Sequence, residues 1–125
     1  NGDTKSCGCI HSLGEQHITA MLIENGNEFC TQYTFGDLKG VNGGALRFDF
    51  AVFYSGQLSH LIEYNGKQHY EPVEFFGGVD AFIDQQKRDD LKREFCKNKK
   101  ILLFTIKYDE DIQERMEEIL NELYG

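Results

Sequence analysis

The chain has no tryptophan, one proline (Pro72) and no apolar run near the roughly 20 residues that span a bilayer. Its N-terminus also has no basic segment followed by an apolar one, which is the pattern of a secretory signal. These absences exclude a transmembrane helix and a cleaved signal of that kind. We therefore expect a soluble protein of 125 residues with no membrane partner.

Positive charge is scarce, since 13 Lys and Arg face 21 Asp and Glu, which gives a net charge of −8. This balance argues against a domain that grips a polyphosphate unaided, because release of counterions needs a basic surface. Carboxylates gathered at a metal site, or affinity supplied by a separate segment, would reconcile the acidity with such a ligand. Basic residues do concentrate in one short run, which is typical of a solvated helix face: Lys87, Arg88, Lys92, Arg93, Lys97, Lys99 and Lys100.

The four cysteines show no disulfide spacing, so a reducing compartment is expected. Cys30 and Cys96 are predicted to be small buried hydrophobic residues. Two thiolates as close together as Cys7 and Cys9 can serve as half of a zinc site, but His11 is the only further candidate ligand nearby, and structural zinc needs four ligands. We interpret residues 1–11 as a linker or as the remnant of an upstream zinc-binding module, so that Zn²⁺ would bind only in a longer chain. Two ordinary cysteines in a frayed terminus are the alternative.

Apolar periodicity predicts the element order α-β-β-β-α-β-α for a domain over residues 12–125. Ser12 and Glu15 match a capping box at the start of the first helix. The fold class is therefore α/β, with a mixed central β-sheet flanked by helices. The predicted helices cover Leu13–Glu24, Val79–Cys96 and Ile112–Leu123, and the predicted strands cover Glu28–Phe35, Leu46–Phe53, Leu58–Tyr64 and Ile101–Ile106. The segments 36–45 and 65–78 are predicted loops.

Asp49 interrupts an apolar strand, where an ionised carboxylate is costly unless it is paired or holds a metal. Alternation predicts two faces for this strand, one with Leu46, Phe48, Phe50 and Val52 and the other with Arg47, Asp49, Ala51 and Phe53. A turn near residues 55–56 would bring Asp49 roughly opposite residues 61–63.

Glu63 repeats the anomaly on the next strand, so the two carboxylates are expected to converge on one shared ion. Such an oxygen-rich pair suits Mg²⁺ and is typical of phosphodiester hydrolysis, in which the metal activates a water. An ion pair between Asp49 and Arg47 is the alternative. His69 follows closely and has the chemistry of a general base, although a hydrogen-bonded surface histidine would look the same in sequence.

Three stretches together resemble the PD-(D/E)xK nuclease superfamily, with a restriction-endonuclease-like core. They are Leu-Arg-Phe-Asp49-Phe-Ala, Leu-Ile-Glu63-Tyr-Asn-Gly-Lys-Gln-His69-Tyr and Gln86-Lys-Arg-Asp89-Asp-Leu-Lys92. The chain is most similar to the EDxHD branch, which holds the very-short-patch repair endonucleases and related phage homing endonucleases. The resemblance covers about residues 5–123, and the stretch from Glu63 to Tyr70 is its most specific part.

The resemblance implies helical acids at Glu15 and Asp89, a metal ligand at Asp49, a second acid at Glu63 and a general base at His69. Asp90 competes with Asp89, because helical periodicity does not choose between them. The wider superfamily usually has Lys two residues after the second acid, and Asn65 stands there in this chain. In the branch that uses histidine, His69 would take over that role.

We therefore predict a Mg²⁺-dependent endodeoxyribonuclease, with Asp49 and Glu63 as metal ligands and a homing endonuclease as the expected setting. Its substrate would be double-stranded DNA in the cytoplasm of a bacterial or phage-infected cell, and cutting of both strands would favour a homo-oligomer. Two alternatives stay open. One is a nicking endonuclease of the mismatch-repair type, and the other is a noncatalytic nucleic-acid-binding module that kept the fold.

Overall fold

Strands rich in aromatic and β-branched residues occupy the middle of the chain, and helices precede, interrupt and follow them. The computed structural model describes residues 13–40, 43–72 and 77–124, without the side chains of Gln68 and Tyr124. In chain order the elements are α1 (Leu13–Glu24), β1 (Glu28–Lys39), β2 (Ala45–Tyr54), β3 (Gln57–Asn65), a short 3-10 helix (Lys67–His69), α2 (Gly78–Lys99), β4 (Leu102–Lys107) and α3 (Ile112–Tyr124).

The strands form one mixed sheet in the order β1-β2-β3-β4. β1, β2 and β3 are antiparallel neighbours, and β4 lies parallel to β3 because α2 carries the chain back across the sheet. The two-residue turn between β2 and β3 has positive φ at both Ser55 (53°) and Gly56 (77°), as a tight hairpin requires. The predicted element order and the mixed sheet flanked by helices are confirmed.

Several strands and helices are longer than we predicted. β1 continues through Gly36 to Lys39, so the first four residues of the segment that we predicted as a loop belong to this strand, and Lys39 pairs with Ala45 of β2. Glycine and aspartate at 36 and 37 signal a loop locally, but pairing with β2 and burial of Leu38 override that signal. α2 likewise extends to Lys99, and the predicted loop after β3 contains the 3-10 helix.

Each face of the sheet carries its own hydrophobic cluster. The first cluster joins α1 and α3 to the sheet and contains Ile18, Leu22, Phe50, Val52, Ile62, Phe104, Ile106, Met116 and Ile119. The second includes Cys96 of α2 and contains Leu38, Leu46, Phe48, Ala51 and Leu61 as well. The amphipathic C-terminal helix is confirmed, because Ile112, Met116, Ile119 and Leu123 all contact the first cluster.

The predicted alternation along β2 is wrong at one point. Phe48 belongs to the cluster beneath α2, whereas Phe50 belongs to the cluster beneath α1 and α3. The side-chain facing therefore changes at Asp49. Opposite this point, between the pairs Thr31–Phe50 and Tyr33–Phe48, Gln32 of β1 has φ of 53°, which breaks the regular strand geometry.

Of the two cysteines predicted to be buried, only Cys96 is buried, and its pKa is raised to about 11 by burial. The prediction for Cys30 is wrong, since its side chain is exposed on β1 at the edge of the sheet. β1 has a strand neighbour on one side only, so a side chain there has fewer neighbours than one on a central strand. No helix in the described ranges combines the length and the hydropathy that crossing a membrane requires.

Gly14 of α1 lies against the ring of Tyr64, so closely that an added Cβ would overlap the ring atoms. We expect Gly14→Ala to lower the free energy of unfolding by about 1–3 kcal/mol, which is the usual cost of overpacking. Urea denaturation measures the change. Gly36→Ala is the matched control, because a Cβ there meets nothing within 4 Å and the variant should lose no stability. Equal stability of the two variants would contradict the close contact between α1 and Tyr64.

Candidate active site

Asp49 and Glu63 lie side by side on β2 and β3. Phe50 pairs with Ile62, so the antiparallel register sets Asp49, one residue before Phe50, opposite Glu63, one residue after Ile62. This is the position that we predicted from the hairpin turn. The backbone N–H of Tyr64 donates to Oδ2 of Asp49 at 2.8 Å, which holds that carboxylate in place. Both side chains line an open cleft of about 640 Å³. No ion pair joins Asp49 to Arg47, which is exposed, so the alternative of a simple Arg–Asp pair is wrong.

Burial opposes the ionisation of both carboxylates. Burial raises the pKa of Asp49 to about 8, with repulsion from Glu63 as the second cause, while the hydrogen bond from Tyr64 acts in the other direction. Burial also raises the pKa of Glu63, although the nearby Lys92 lowers it in part. This pair is therefore short of positive charge, which is the electrostatic condition for attracting a cation.

Lys92 of α2 supplies the one cation that contacts this pair within the described residues. Its Nζ lies 3.0 Å from Oε2 of Glu63 and 5.2 Å from the ring centre of Phe48, and the residue is only 9% exposed. The interpretation of the basic run as a solvated helix face is therefore wrong for Lys92. Its helical spacing to Asp89 and Cys96, three residues before it and four after, was the signal that this lysine faces inward.

His69 and Asp89 form a second polar pair at the cleft. Nδ1 of His69 lies 2.9 Å from Oδ2 of Asp89, and Nε2 of Gln85 donates to Oδ1 of the same carboxylate. Burial raises the pKa of Asp89, but the hydrogen bond and charge of His69 outweigh it, so the pKa is lowered and Asp89 is ionised. A carboxylate only accepts, so Nδ1 of His69 must carry the proton. In the neutral imidazole, Nε2 is then the nitrogen with a free lone pair, as a general base requires.

The structure also separates Asp89 from its competitor. Asp89 is buried against His69, whereas Asp90 is exposed and forms an ion pair with Arg93 one turn further along α2. Gln86 adds a hydrogen bond from Nε2 to the carbonyl of His69 at 2.8 Å, which ties the 3-10 helix to α2. The histidine is therefore held by contacts with one face of a single helix.

Glu15 lies in the first turn of α1 and lines the same cleft, where its charge contributes to the raised pKa of Asp49. Its predicted capping partner Ser12 lies outside the described residues. Four of the five predicted residues thus line one cleft, and Asp89 joins them through its contact with His69, so that five different elements contribute.

In the sequence Asn65 is only a departure from the superfamily motif, but the structure places it in the cleft. It is 8% exposed, it lines the cleft, and its Oδ1 is the one buried side-chain oxygen or nitrogen among the described residues that has no hydrogen-bond partner. Its Nδ2 donates to the hydroxyl of Tyr70 at 3.4 Å. Asn65 follows Glu63 by two positions in β3, so the two side chains share a face of the strand.

Within the described ranges, no three His, Cys, Asp or Glu side chains converge as a group that could hold a metal. The candidate metal ligands are therefore two carboxylates with an amide oxygen beside them. Cys7, Cys9 and His11 lie outside the described residues, as does the whole of the predicted remnant over residues 1–11.

Comparisons with known proteins find similarity to uncharacterized viral proteins. The chain is 41% identical over 56 residues to protein 307L of Invertebrate iridescent virus 6, which covers 44% of this chain and 28% of that protein. It is 38% identical over 81 residues to protein 094L of Frog virus 3, covering 62% of this chain and 50% of that protein. For protein 033L of Invertebrate iridescent virus 3 the identity is 44% over 48 residues, 38% of this chain and 25% of that protein.

The matched part therefore spans between a quarter and a half of the length of these relatives. No family model and no solved structure matches the chain. These relatives are consistent with a viral origin of the chain, and their names assign no activity.

Loss of the Lys92 ammonium would leave Glu63 with an uncompensated buried charge. We expect Lys92→Met to lower the free energy of unfolding by about 3–5 kcal/mol, and Glu63→Gln in the same chain to recover most of that loss. Urea denaturation without divalent cations measures both. Lys99→Met is the control, because its ion pair with Asp37 is exposed and should be worth less than about 1 kcal/mol. Losses that simply add in the double variant would contradict the coupling.

Proposed function

We propose that this chain carries the catalytic domain of a Mg²⁺-dependent endonuclease that hydrolyses phosphodiester bonds in double-stranded DNA. The observation that carries the proposal is a single cleft in which the adjacent carboxylates Asp49 and Glu63 meet the His69–Asp89 pair. Acidic oxygens for a cation and an oriented base are the two components that metal-assisted hydrolysis needs from a protein.

The donor set fits a hard divalent cation. Asp49 and Glu63 offer carboxylate oxygens whose pKa values are raised chiefly by burial, so a cation would stabilise their ionised forms, and Oδ1 of Asn65 is a buried acceptor without a partner among the described residues. Mg²⁺ takes oxygen ligands, keeps several waters and needs few protein groups, so the lack of a third carboxylate is compatible with it. When bound there, the cation would polarise the scissile phosphate and lower the pKa of a water molecule.

The other groups have separate roles in this proposal. Nε2 of His69 accepts a proton from the attacking water, and Asp89 holds the ring and stabilises the charge that the ring gains. Lys92 contributes from α2 the positive charge that the family motif places two residues after the second acid, where this chain has Asn65. Glu15 is a supporting acid beside Asp49.

We also propose the finer description of the fold. A meander of three antiparallel strands followed by a crossover helix and a parallel fourth strand is the arrangement expected of a restriction-endonuclease-like core. Asp49, Glu63 and Asp89 lie on β2, β3 and α2, which supports this proposal. A homing endonuclease is the setting that we favour, and nicking at mismatches is the alternative enzyme.

A noncatalytic DNA-binding module is the main alternative, and Asn65 and the net charge of −8 favour it. The ordered His69–Asp89 pair favours catalysis, since binding of DNA alone does not require a base with a fixed tautomer. We therefore expect the full chain to cut long duplex DNA in the presence of Mg²⁺. Asp49→Ala and His69→Ala should each reduce the rate by about 10²–10⁴, the range for loss of a positioned acid–base group.

Gel analysis of a plasmid distinguishes nicking from cutting of both strands in the same experiment. The matched control is His17→Ala, because His17 is exposed on α1 and does not line the cleft, so its variant should cut at the normal rate. Equal residual cutting by the unmodified chain and the Asp49 and His69 variants would overturn the catalytic assignment.

The raised pKa of Asp49 makes binding of the cation dependent on pH. The folded protein keeps a proton on this carboxyl up to about pH 8, whereas the unfolded chain releases it near the ordinary value of 3.8. Between these two values the contribution of Asp49 to stability falls as pH rises. Because Mg²⁺ binds the ionised form, we expect it to raise the midpoint of thermal unfolding more at about pH 9 than at about pH 6.

Thermal unfolding with Mg²⁺ and with EDTA at both pH values provides the measurement. Asp49→Asn should abolish both the Mg²⁺ effect and its pH dependence, since the amide has no proton to release. The same Mg²⁺ effect at both pH values, or an undiminished effect in Asp49→Asn, would show that the cation binds elsewhere.

A further inference from the structure

A second cavity of about 410 Å³ adjoins the catalytic cleft. The two cavities share three lining residues, Ala45, Leu46 and Arg88, so together they form a continuous trough. From α2, Asp84, Lys87, Arg88 and Leu91 line the second cavity. These residues follow the spacing of one helical face.

The neighbouring face of α2 belongs to the catalytic cleft, which is lined by Gln85, Arg88 and Lys92. Arg88 therefore lies at the boundary between the two cavities. Its Nη2 donates to Oε1 of Gln85 at 2.9 Å, and the donors on its other nitrogens face no carboxylate in the described structure. Arg47 approaches the same boundary from β2, where it lines the cleft.

The positive charge along this trough is not neutralised. Within the described residues, Arg47, Lys87 and Arg88 have no carboxylate within 4.0 Å, whereas Lys92, Arg93 and Lys99 of the same helix each form an ion pair. Lys39, Lys97 and Lys100 likewise have no carboxylate within 4.0 Å among the described residues, but they line neither cavity. Arg47, Lys87 and Arg88 differ from them because they line the two connected cavities, beside the carboxylates of the candidate site.

We propose that the trough holds the phosphate backbone of the cut DNA strand on one side of the scissile bond. Arg47 and Arg88 would contact the phosphate nearest the cleft, and Lys87 the next one along the second cavity. Arginine presents several fixed donors to a phosphate, and lysine acts as a point charge, so the three residues form a short positive track. This inference rests on the proposed function, because it assigns the substrate contacts of that site.

Glu15, Asp49 and Glu63 lie in the catalytic cleft, whereas the second cavity contains another acid, Asp84, which lines it with Lys87. A carboxylate there repels a phosphate, so it limits the affinity of the track. Removing the charge of Asp84 should raise the affinity for DNA, whereas removing a cation should lower it. A variant that merely damages the fold would not raise the affinity.

The experiment measures binding of the full chain to a short fluorescent DNA duplex by anisotropy, in EDTA so that cutting does not interfere. We expect Lys87→Gln and Arg88→Gln each to weaken binding roughly eightfold at about 0.1 M salt and to reduce the slope of log affinity against log salt by about 0.9. Arg88→Lys should keep the slope, since it keeps the charge. Asp84→Asn should tighten binding.

Lys97→Gln is the matched control, because Lys97 is an exposed cation of the same helix that lines neither cavity. It should bind as the unmodified chain does. Equal losses in Lys87→Gln, Arg88→Gln and Lys97→Gln would overturn the trough, and so would an unchanged salt slope or the absence of DNA binding by the full chain.

The outcome is separable from that of the nuclease proposal. If the unmodified chain cuts DNA with Mg²⁺ while the trough variants bind normally, only the trough is wrong. If the chain does not cut but shows the expected pattern of binding losses, the catalytic proposal is wrong and the DNA track stands.

Discussion

Two carboxylates on neighbouring strands, Asp49 and Glu63, are forced together by the register of the β2–β3 hairpin. Burial raises the pKa of both, and repulsion from Glu63 raises that of Asp49 further. A fold tolerates such a pair only if positive charge or hydrogen-bond donors compensate it. The backbone N–H of Tyr64 compensates Asp49 in part, and the Lys92 ammonium does so for Glu63. The remaining deficit of positive charge is the physical basis for the proposed cation site.

Two faces of helix α2 carry charged residues to different parts of the site. Its inward face carries Lys92 to Glu63 and Asp89 to His69, so one rigid element positions both polar pairs relative to the strands. The adjoining face carries Lys87 and Arg88 along the second cavity. Because a helix presents residues three and four apart on the same side, a short stretch of sequence serves both the site and the proposed track.

The acidic net charge of the chain is compatible with the proposed DNA ligand because of where the unpaired cations lie. Much of the positive charge is consumed in ion pairs, both buried, as for Lys92, and exposed, as for Lys99 and Arg115. Arg47, Lys87 and Arg88 are exposed to a ligand without such partners in the described residues. Net charge governs attraction at long range, whereas a few unneutralised cations beside a cleft govern contact at short range.

The sequence by itself determined the order of elements, the mixed sheet and the neighbouring positions of Asp49 and Glu63, because periodicity and a two-residue turn are local properties. It also identified His69 and Asp89, through resemblance rather than pattern. Tertiary structure alone decided three matters: that β1 continues past Gly36, that Phe48 and Phe50 face opposite sides of the sheet, and that Lys92 is buried against Glu63. Each depends on a partner distant in sequence, whose contact outweighs the local preference of the residue.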